Sequence, residues 1–371
     1  MASFTDSPLV ITIAALVVYL TTLAASRISM YAKFLPDNPN GRSSHVRVTS
    51  RAGGIGIFGG WIAGIFILAA FSGSGEATIV AVKLAGISVL AFCIGLADDK
   101  WALSPLVKFC GQLIAAGLFT WLLGPLQVAP IPFVGEVSLG LWGTGLTIIW
   151  IVGFMNAFNF MDGVNGIAAG SALTGLVAFA VIALLTGAPI AAVLAILLAI
   201  ACFAFLPANL GKGRLFMGDS GSQALSFLIA ALGIYAANAT AGHASAMLVP
   251  VIFLPFIFDV GWTLTHRLIR GQNILDGHRE HLYQLLLRQG FSHTKIAVLY
   301  MALTTFSTAV AIFMLTLSPG GQWLAVALLC ALFSMGAVYI HISALRAGLL
   351  TTSKRAPVAA HDDAVMHQAA E

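Results

Sequence analysis

Runs of apolar residues long enough to cross a lipid bilayer recur along almost the whole chain, and that repetition leaves few folds open. A spanning helix needs about 20 mostly apolar residues. About eleven such runs can be read, at 8–26, 54–72, 78–97, 105–124, 143–160, 164–186, 189–207, 221–241, 246–266, 295–317 and 322–344. In hydrocarbon every backbone N–H and C=O must be satisfied inside its own element, so runs of this kind fold as helices. Composition agrees, with 59% of the 371 residues hydrophobic and 9% charged, against roughly 25% charged in soluble domains. The expectation is an all-α polytopic membrane protein. One transmembrane domain covers 1–346, and 347–371 forms a polar, Ala-rich, disordered tail.

Charge fixes the expected orientation. Arg27 and Lys33 follow the first run and no basic residue precedes it, so that run is expected to be a retained span rather than a cleaved signal. Lys and Arg concentrate in cytoplasmic loops. Arg42, Arg47, Arg51, Lys100, Lys212, Arg214, Arg267, Arg270, Arg279, Arg288 and Arg346 all follow odd-numbered runs, and Lys83 is the exception. The N-terminus is therefore expected outside and the C-terminus in the cytoplasm, in a bacterial inner membrane. The net charge of +4 is explained by topology, with attraction to anionic lipid and phosphate as a second meaning. No nucleic-acid partner is indicated. Cys93, Cys110, Cys202 and Cys330 lie inside apolar runs without ligand spacing and read as packing residues.

Polar residues gather at the ends of runs on that same side. Asn156, Asn159 and Asp162 recur every three residues and fall along one helix face, followed by Gly163 and Gly166. A helix end capped by amides is the plainer reading. A ligand site is the sharper one, because polar groups near hydrocarbon face a protein interior or a water-filled cavity. Asp98 and Asp99 close the third run. Their side chains should diverge by about 100°, which predicts divided roles. Two carboxylates also sit badly against the negative end of a helix dipole, which favours function over capping.

The loop over 27–52 carries Arg42, His45, Arg47 and Arg51, which suit either a solvated connector or a phosphorylated ligand. A Gly-rich stretch with Lys212 and Arg214 leads to Asp219 at the start of the eighth run and can cradle phosphate oxygens. The ninth run carries Asp259 near its cytoplasmic end, and His278, Arg279, Glu280 and His281 follow. Residues 283–287 read as a short amphipathic helix lying at the interface. Residues 125–143 read as a hairpin on the outer side.

Asp98, Asp99, Asp162 and Asp219 offer hard oxygen ligands, which suit Mg²⁺ or Mn²⁺. Mg²⁺ takes one or two protein carboxylates together with substrate phosphate and water. Arg42, Lys100, Lys212 and Arg279 can balance the remaining charge. The layout fits phosphoryl transfer between a soluble nucleotide and a lipid phosphate. A transporter with an intramembrane carboxylate site is the alternative of another class, but paired repeats and mid-membrane charges are its usual marks.

The chain resembles the polyprenyl-phosphate N-acetylhexosamine-1-phosphate transferase superfamily. The resemblance rests on Asp37-x-Pro39-Asn40-x-Arg42-x-x-His45, Asp98-Asp99, Asn156-x-x-Asn159-x-x-Asp162-Gly163, Gly218-Asp219-x-Gly221-Ser222 and the segment 278–284, in the family's order. It implies transfer of an N-acetylated amino-sugar 1-phosphate from a UDP-sugar to undecaprenyl phosphate, with release of UMP. The product would be the first lipid-linked sugar of a surface polysaccharide of the O-antigen type. It implies Asp219 and Asp99 at the metal, and Asp98, Asp99 and Asp162 in catalysis, with Asp98 as a proposed base for the lipid phosphate. Asn156, Asn159 and Asn165 would meet the nucleotide. Arg42, His45, Lys100, Lys212, His278, Arg279 and His281 would meet the rest of the substrate. A homodimer is left open. Asn165 stands where many members have a second Asp, and Tyr283 and Gln284 stand where many have further histidines. Both departures point away from the muramyl-pentapeptide branch, which stays as the alternative.

Overall fold

The computed structural model describes residues 5, 7–32, 34–37, 48–73, 75–273 and 277–350. Arg42 and His45, and the tail from 351 onward, lie outside the described residues. Ten helices among those described are long and apolar enough to cross a membrane. They are α1 (Pro8–Ala32), α2 (Gly53–Phe71), α3 (Glu76–Trp101), α4 (Pro105–Leu123), α5 (Trp142–Met161), α6 (Ile167–Thr186), α7 (Pro189–Asn209), α8 (Gly218–Ala239), α12 (His293–Met314) and α13 (Pro319–Arg346).

The expected span at 246–266 is not one helix. It is a short α9 (Leu248–Ile252) and a longer α10 (Leu254–Ile269), separated at Phe253. Proline explains the break. Pro255 has no N–H to donate to the carbonyl of Val251, so the first helix ends and Pro255 starts the second, where a missing donor costs nothing. A last helix, α11 (Leu282–Arg288), precedes α12. It covers the short helix expected over 283–287. Leu282, Tyr283, Leu285, Leu286 and Leu287 are all buried, so it is packed into the protein rather than laid against lipid.

Two small hairpins complete the chain. One pairs β1 (Pro36–Asp37) with β2 (Thr49–Ser50), and the other pairs β3 (Val128–Ile131) with β4 (Gly135–Ser138), both antiparallel. The second is the hairpin expected in 125–143, and it joins α4 to α5 at the end of the bundle away from Asp98 and Asp219. The packed chain continues slightly past 346: Arg288 Nη2 donates to the Leu349 carbonyl at 2.8 Å, and Leu350 is buried against Leu285 and Ala344.

The helix α8 is the centre of the bundle. Its mean hydropathy, 1.3, is the lowest of the ten spans, yet its window is the most buried, at 89%. The two facts have one cause. Asp219, Ser220, Ser222, Gln223 and Ser226 cannot face lipid, so the segment carrying them is enclosed by α2, α3, α5 and α7. Small residues let the neighbours come close. A side chain on Gly95 of α3 would strike the Asp219 backbone, and one on Gly54 of α2 would strike Gly221. Along the rest of α2, Gly56, Gly60 and Gly64 recur every four residues and face Ser26, Thr22 and Val18 of α1, which lets the two helices pack closely.

Candidate active site

The site lies where the ends of α3, α5 and α7 meet the starts of α4, α6 and α8. The entry to α8 is held first by backbone. Phe216 N–H donates to the Ser50 carbonyl, and Gly53 and Gly54 donate to the carbonyls of Phe216 and Met217. Gly218 then turns with φ +72, where a Cβ would lie 2.7 Å from Asp99 Oδ2, so glycine is needed on both counts.

Asp98 and Asp99 do diverge. Asp99 accepts the N–H groups of Asp219 and Ser220, each at 2.9 Å, and so caps α8 from another helix. Both of its oxygens are engaged by backbone, although it was expected among the metal ligands. Asp98 meets a different set of partners. Its Oδ1 accepts the Leu103 N–H at 2.7 Å and its Oδ2 pairs with Lys108 at 2.8 Å. Lys108 also lies 3.7 Å from Asp219 Oδ2, and the Asp98 and Asp219 carboxyls are within hydrogen-bonding reach of each other.

The amides of α5 join the same cluster. Asn159 Nδ2 donates to Asp219 Oδ1 at 2.9 Å and to Ser222 Oγ at 2.8 Å. Asn156, one turn earlier, donates to Gln112 Oε1 at 2.7 Å, and Gln112 donates to Gln223 Oε1 at 2.9 Å. This buried amide chain ties α4, α5 and α8 together beneath the carboxylates. Asp162 follows the end of α5 and carries no hydrogen bond on its carboxylate among the described residues. Desolvation, then the charges of Asp219 and Asp99, push its pKa well above the ordinary carboxylate value.

Other expected residues are placed elsewhere. The Lys100 ammonium sits over the exposed Trp101 ring at 4.7 Å rather than on the carboxylates. Lys108 takes the central position that Lys100 was expected to share. Asn165 Nδ2 donates to the Gly211 carbonyl at 3.1 Å and its N–H to His293 Nδ1 at 3.2 Å, so it fastens the loop between α7 and α8. Lys212 is exposed on that loop.

The histidine segment docks beside α5. Tyr283 Oη donates to the Phe160 carbonyl at 2.9 Å, and Gly163 leaves room for that hydroxyl. The His281 ring lies 5.9 Å from Phe160 and 5.0 Å from His278. His278 Nδ1 accepts the Glu280 N–H at 3.4 Å, and desolvation, then His281 and Arg267, lower its pKa to about 4. Glu280 in turn lies 3.7 Å from Arg267 and 3.5 Å from Arg270. The Arg279 carbonyl accepts from Arg288 Nη1 at 3.3 Å, which ties the segment to α11.

Sequence reading missed Lys108, Gln112 and Gln223 as members of this arrangement. The signal was present: an amide or a lysine inside an apolar run is costly unless it has a partner.

The charge balance suits a hard cation. Four carboxylates, Asp98, Asp99, Asp162 and Asp219, face Lys108 and Arg51, and Arg51 is itself paired with Asp37 at 2.6 Å. Among the described residues no three His, Cys, Asp or Glu side chains form a ready metal cage. Asp219, with Asp98 beside it, could hold such a cation.

Bundle and site together define a multi-pass membrane enzyme with an acidic, amide-lined site at one end of its helices. The chain belongs to glycosyl transferase family 4, whose pattern matches residues 52–237. It is similar to a probable undecaprenyl-phosphate N-acetylglucosaminyl 1-phosphate transferase of Bacillus subtilis, 30% identical over 277 residues that cover 73% of this chain and 75% of that protein. It is also similar to the decaprenyl-phosphate N-acetylglucosaminephosphotransferase of Mycobacterium tuberculosis, 30% identical over 335 residues and 81% of each chain. A phospho-N-acetylmuramoyl-pentapeptide-transferase of Staphylococcus saprophyticus is 27% identical over 217 residues, covering 56% of this chain and 65% of that one. The chain is thus a transferase of phosphate-linked sugars.

Proposed function

We propose that the enzyme transfers an N-acetylated amino-sugar 1-phosphate from a UDP-sugar to undecaprenyl phosphate at the cytoplasmic face of the inner membrane. An oxygen of the lipid phosphate attacks the phosphorus that carries the sugar. A new P–O–P linkage forms, the bond to the other phosphate breaks, and UMP leaves with the electron pair. The observation that carries this reading is the meeting of Asp219, Asp98, Lys108 and Asn159 at one end of a membrane bundle. A headgroup phosphate and a water-borne diphosphate can both reach that end.

Mg²⁺, held by Asp219, would neutralise diphosphate charge. Lys108 would draw phosphate oxygens toward Asp98, and Asn159 would keep Asp219 oriented. Asp99 would act by holding the start of α8. Asp162 is the better candidate for taking the lipid phosphate proton, because Asp98 has both oxygens occupied, whereas Asp162 has a raised pKa and, among the described residues, no hydrogen bond on its carboxylate. The sugar is proposed to be N-acetylglucosamine or a related amino sugar, on the strength of the relatives' names, and the product to open a surface polysaccharide of the O-antigen type.

A donor panel tests the reading. Purified protein is given undecaprenyl phosphate, Mg²⁺ and radiolabelled UDP-N-acetylglucosamine, UDP-N-acetylgalactosamine, a 6-deoxy amino-sugar donor or UDP-muramyl-pentapeptide. Labelled lipid with stoichiometric UMP from an amino-sugar donor is expected. Labelling from the pentapeptide donor alone would move the enzyme to the peptidoglycan branch, and no labelling from any donor would contradict the proposal.

A further inference from the structure

Asp259 has no place in the transfer step, yet it is among the most completely coordinated side chains of the protein. It lies in α10 and is fully buried. Its Oδ1 faces His281 Nδ1 at 3.2 Å, the Leu282 N–H at 2.9 Å and the Thr263 hydroxyl at 3.3 Å. Its Oδ2 faces the Tyr283 N–H at 3.2 Å and the Tyr300 hydroxyl at 2.5 Å. Four of these partners can serve as donors whatever the tautomer of the ring, and two of them, the backbone N–H groups, can do nothing else. A carboxylate surrounded in this way is an acceptor, which favours the His281 ring proton on Nδ1.

A second chain of contacts runs from the same carboxylate to the transfer site. The N–H groups that Asp259 accepts begin α11. Gln284, in the first turn of that helix, accepts the His281 N–H at 3.2 Å and donates to Tyr283 Oη at 3.1 Å. Tyr283 Oη donates to the Phe160 carbonyl, two residues before Asp162. Asp259 therefore sets both the rotation of the His281 ring and the docking of its segment on the end of α5.

We infer that Asp259 is a positioning residue for the transfer reaction: it fixes His281 as the Nδ1-protonated tautomer and keeps Nε2 as an acceptor for a hydroxyl oxygen of the sugar-nucleotide donor. An imidazolium formed at Nε2 would have its charge balanced by Asp259 behind it, the role carboxylates play for histidines in other sites. The assignment of a donor oxygen to Nε2 rests on the proposed function; the tautomer does not.

The test is a double-mutant cycle on kcat/KM with the best donor of the panel, using Asp259→Asn, His281→Gln and the double variant. Asp259→Asn is expected to lower kcat/KM by about tenfold or more alone, and by less than about twofold in the His281→Gln background, because a residue that acts through His281 has nothing left to position. An equal loss in both backgrounds, or no loss in either, would overturn the inference. A second measurement needs no Asp259 variant and no turnover. The ¹⁵N spectrum of histidine-labelled protein, with the His281 signals assigned by their disappearance in His281→Gln, is expected to show a protonated Nδ1 and an unprotonated Nε2. The opposite tautomer would overturn the inference even in a fully active enzyme, and an inactive donor panel with the expected tautomer would leave the fault with the proposed function.

Discussion

Asp99 holds the first turn of α8 through the N–H groups of Asp219 and Ser220, each 2.9 Å from one of its oxygens. The contact joins residues far apart in sequence and supplies a cap that the residue before α8, Met217, cannot. It also aims Asp219. With its backbone fastened to Asp99 and its side chain to Asn159, that carboxylate has little freedom left, which is what a preorganised phosphate site requires.

Replacing Asp99 by Ala should therefore act on stability as well as rate. Two backbone donors lose their acceptor, a cost of about 1–3 kcal/mol, and Asp219 loses its alignment. A lower unfolding temperature together with at least about a 100-fold loss of kcat is expected. An inactive variant of unchanged stability would mean that Asp99 works on the substrate directly.

The two lysines near the carboxylate pair should behave differently. Lys108 pairs with Asp98 at 2.8 Å, whereas Lys100 lies over Trp101. Lys108→Met is expected to cost about 100-fold in kcat/KM, equivalent to about 2.7 kcal/mol. Lys100→Met should leave the rate within about threefold, since an exposed cation near a ring contributes about 0.5–1 kcal/mol. Steady-state rates of the two variants decide it, and a larger loss at Lys100 would contradict the placement.

Asp162 carries a prediction of opposite sign for stability and activity. Its pKa is raised in the folded protein by desolvation, then by Asp219 and Asp99. The folded state thus holds this proton more tightly than the unfolded chain does, and stability falls as pH rises above the ordinary value of 3.8. In chelator at neutral pH, Asp162→Asn should melt at a higher temperature than the parent protein. Its transfer rate should drop by about 10²- to 10⁴-fold. A variant that melts lower would show that the carboxylate is compensated after all.

His278 sets an acid limit. Its folded pKa of about 4, against 6.5 ordinarily, arises from desolvation, then His281 and Arg267. Between those values the unfolded chain binds the proton and the folded protein does not, so stability rises with pH across that window and is lost on acidification. His278→Gln should flatten this slope in unfolding temperatures taken from about pH 4 to 7. An unchanged slope would assign the acid sensitivity to other groups.

Hydropathy made the bundle legible, because a run such as 189–207 has no other stable form in lipid. It failed at 246–266, where the run stays apolar on average although Pro255 interrupts backbone hydrogen bonding. The divergence of Asp98 and Asp99 was readable from helix geometry alone. What each one faces was not, since Lys108, Leu103 and the start of α8 are brought to them only by packing. The role of Asn165 in fastening the Gly211 loop was hidden for the same reason. Asp259 was visible as a carboxylate in an apolar run, but the donors that meet it come mainly from α11 and α12 and no local pattern names them.

The account stands on Asp219 as the carboxylate that brings a divalent cation to the diphosphate. The most direct measurement is a Mg²⁺ titration of UMP release by the parent enzyme and by Asp219→Ala, with Mn²⁺ binding followed by electron paramagnetic resonance in the presence of UDP-sugar. Strict dependence on the cation, with one Mn²⁺ bound per chain and both properties lost in Asp219→Ala, is the predicted result. Cation-independent release of UMP, or undiminished Mn²⁺ binding in Asp219→Ala, would contradict it.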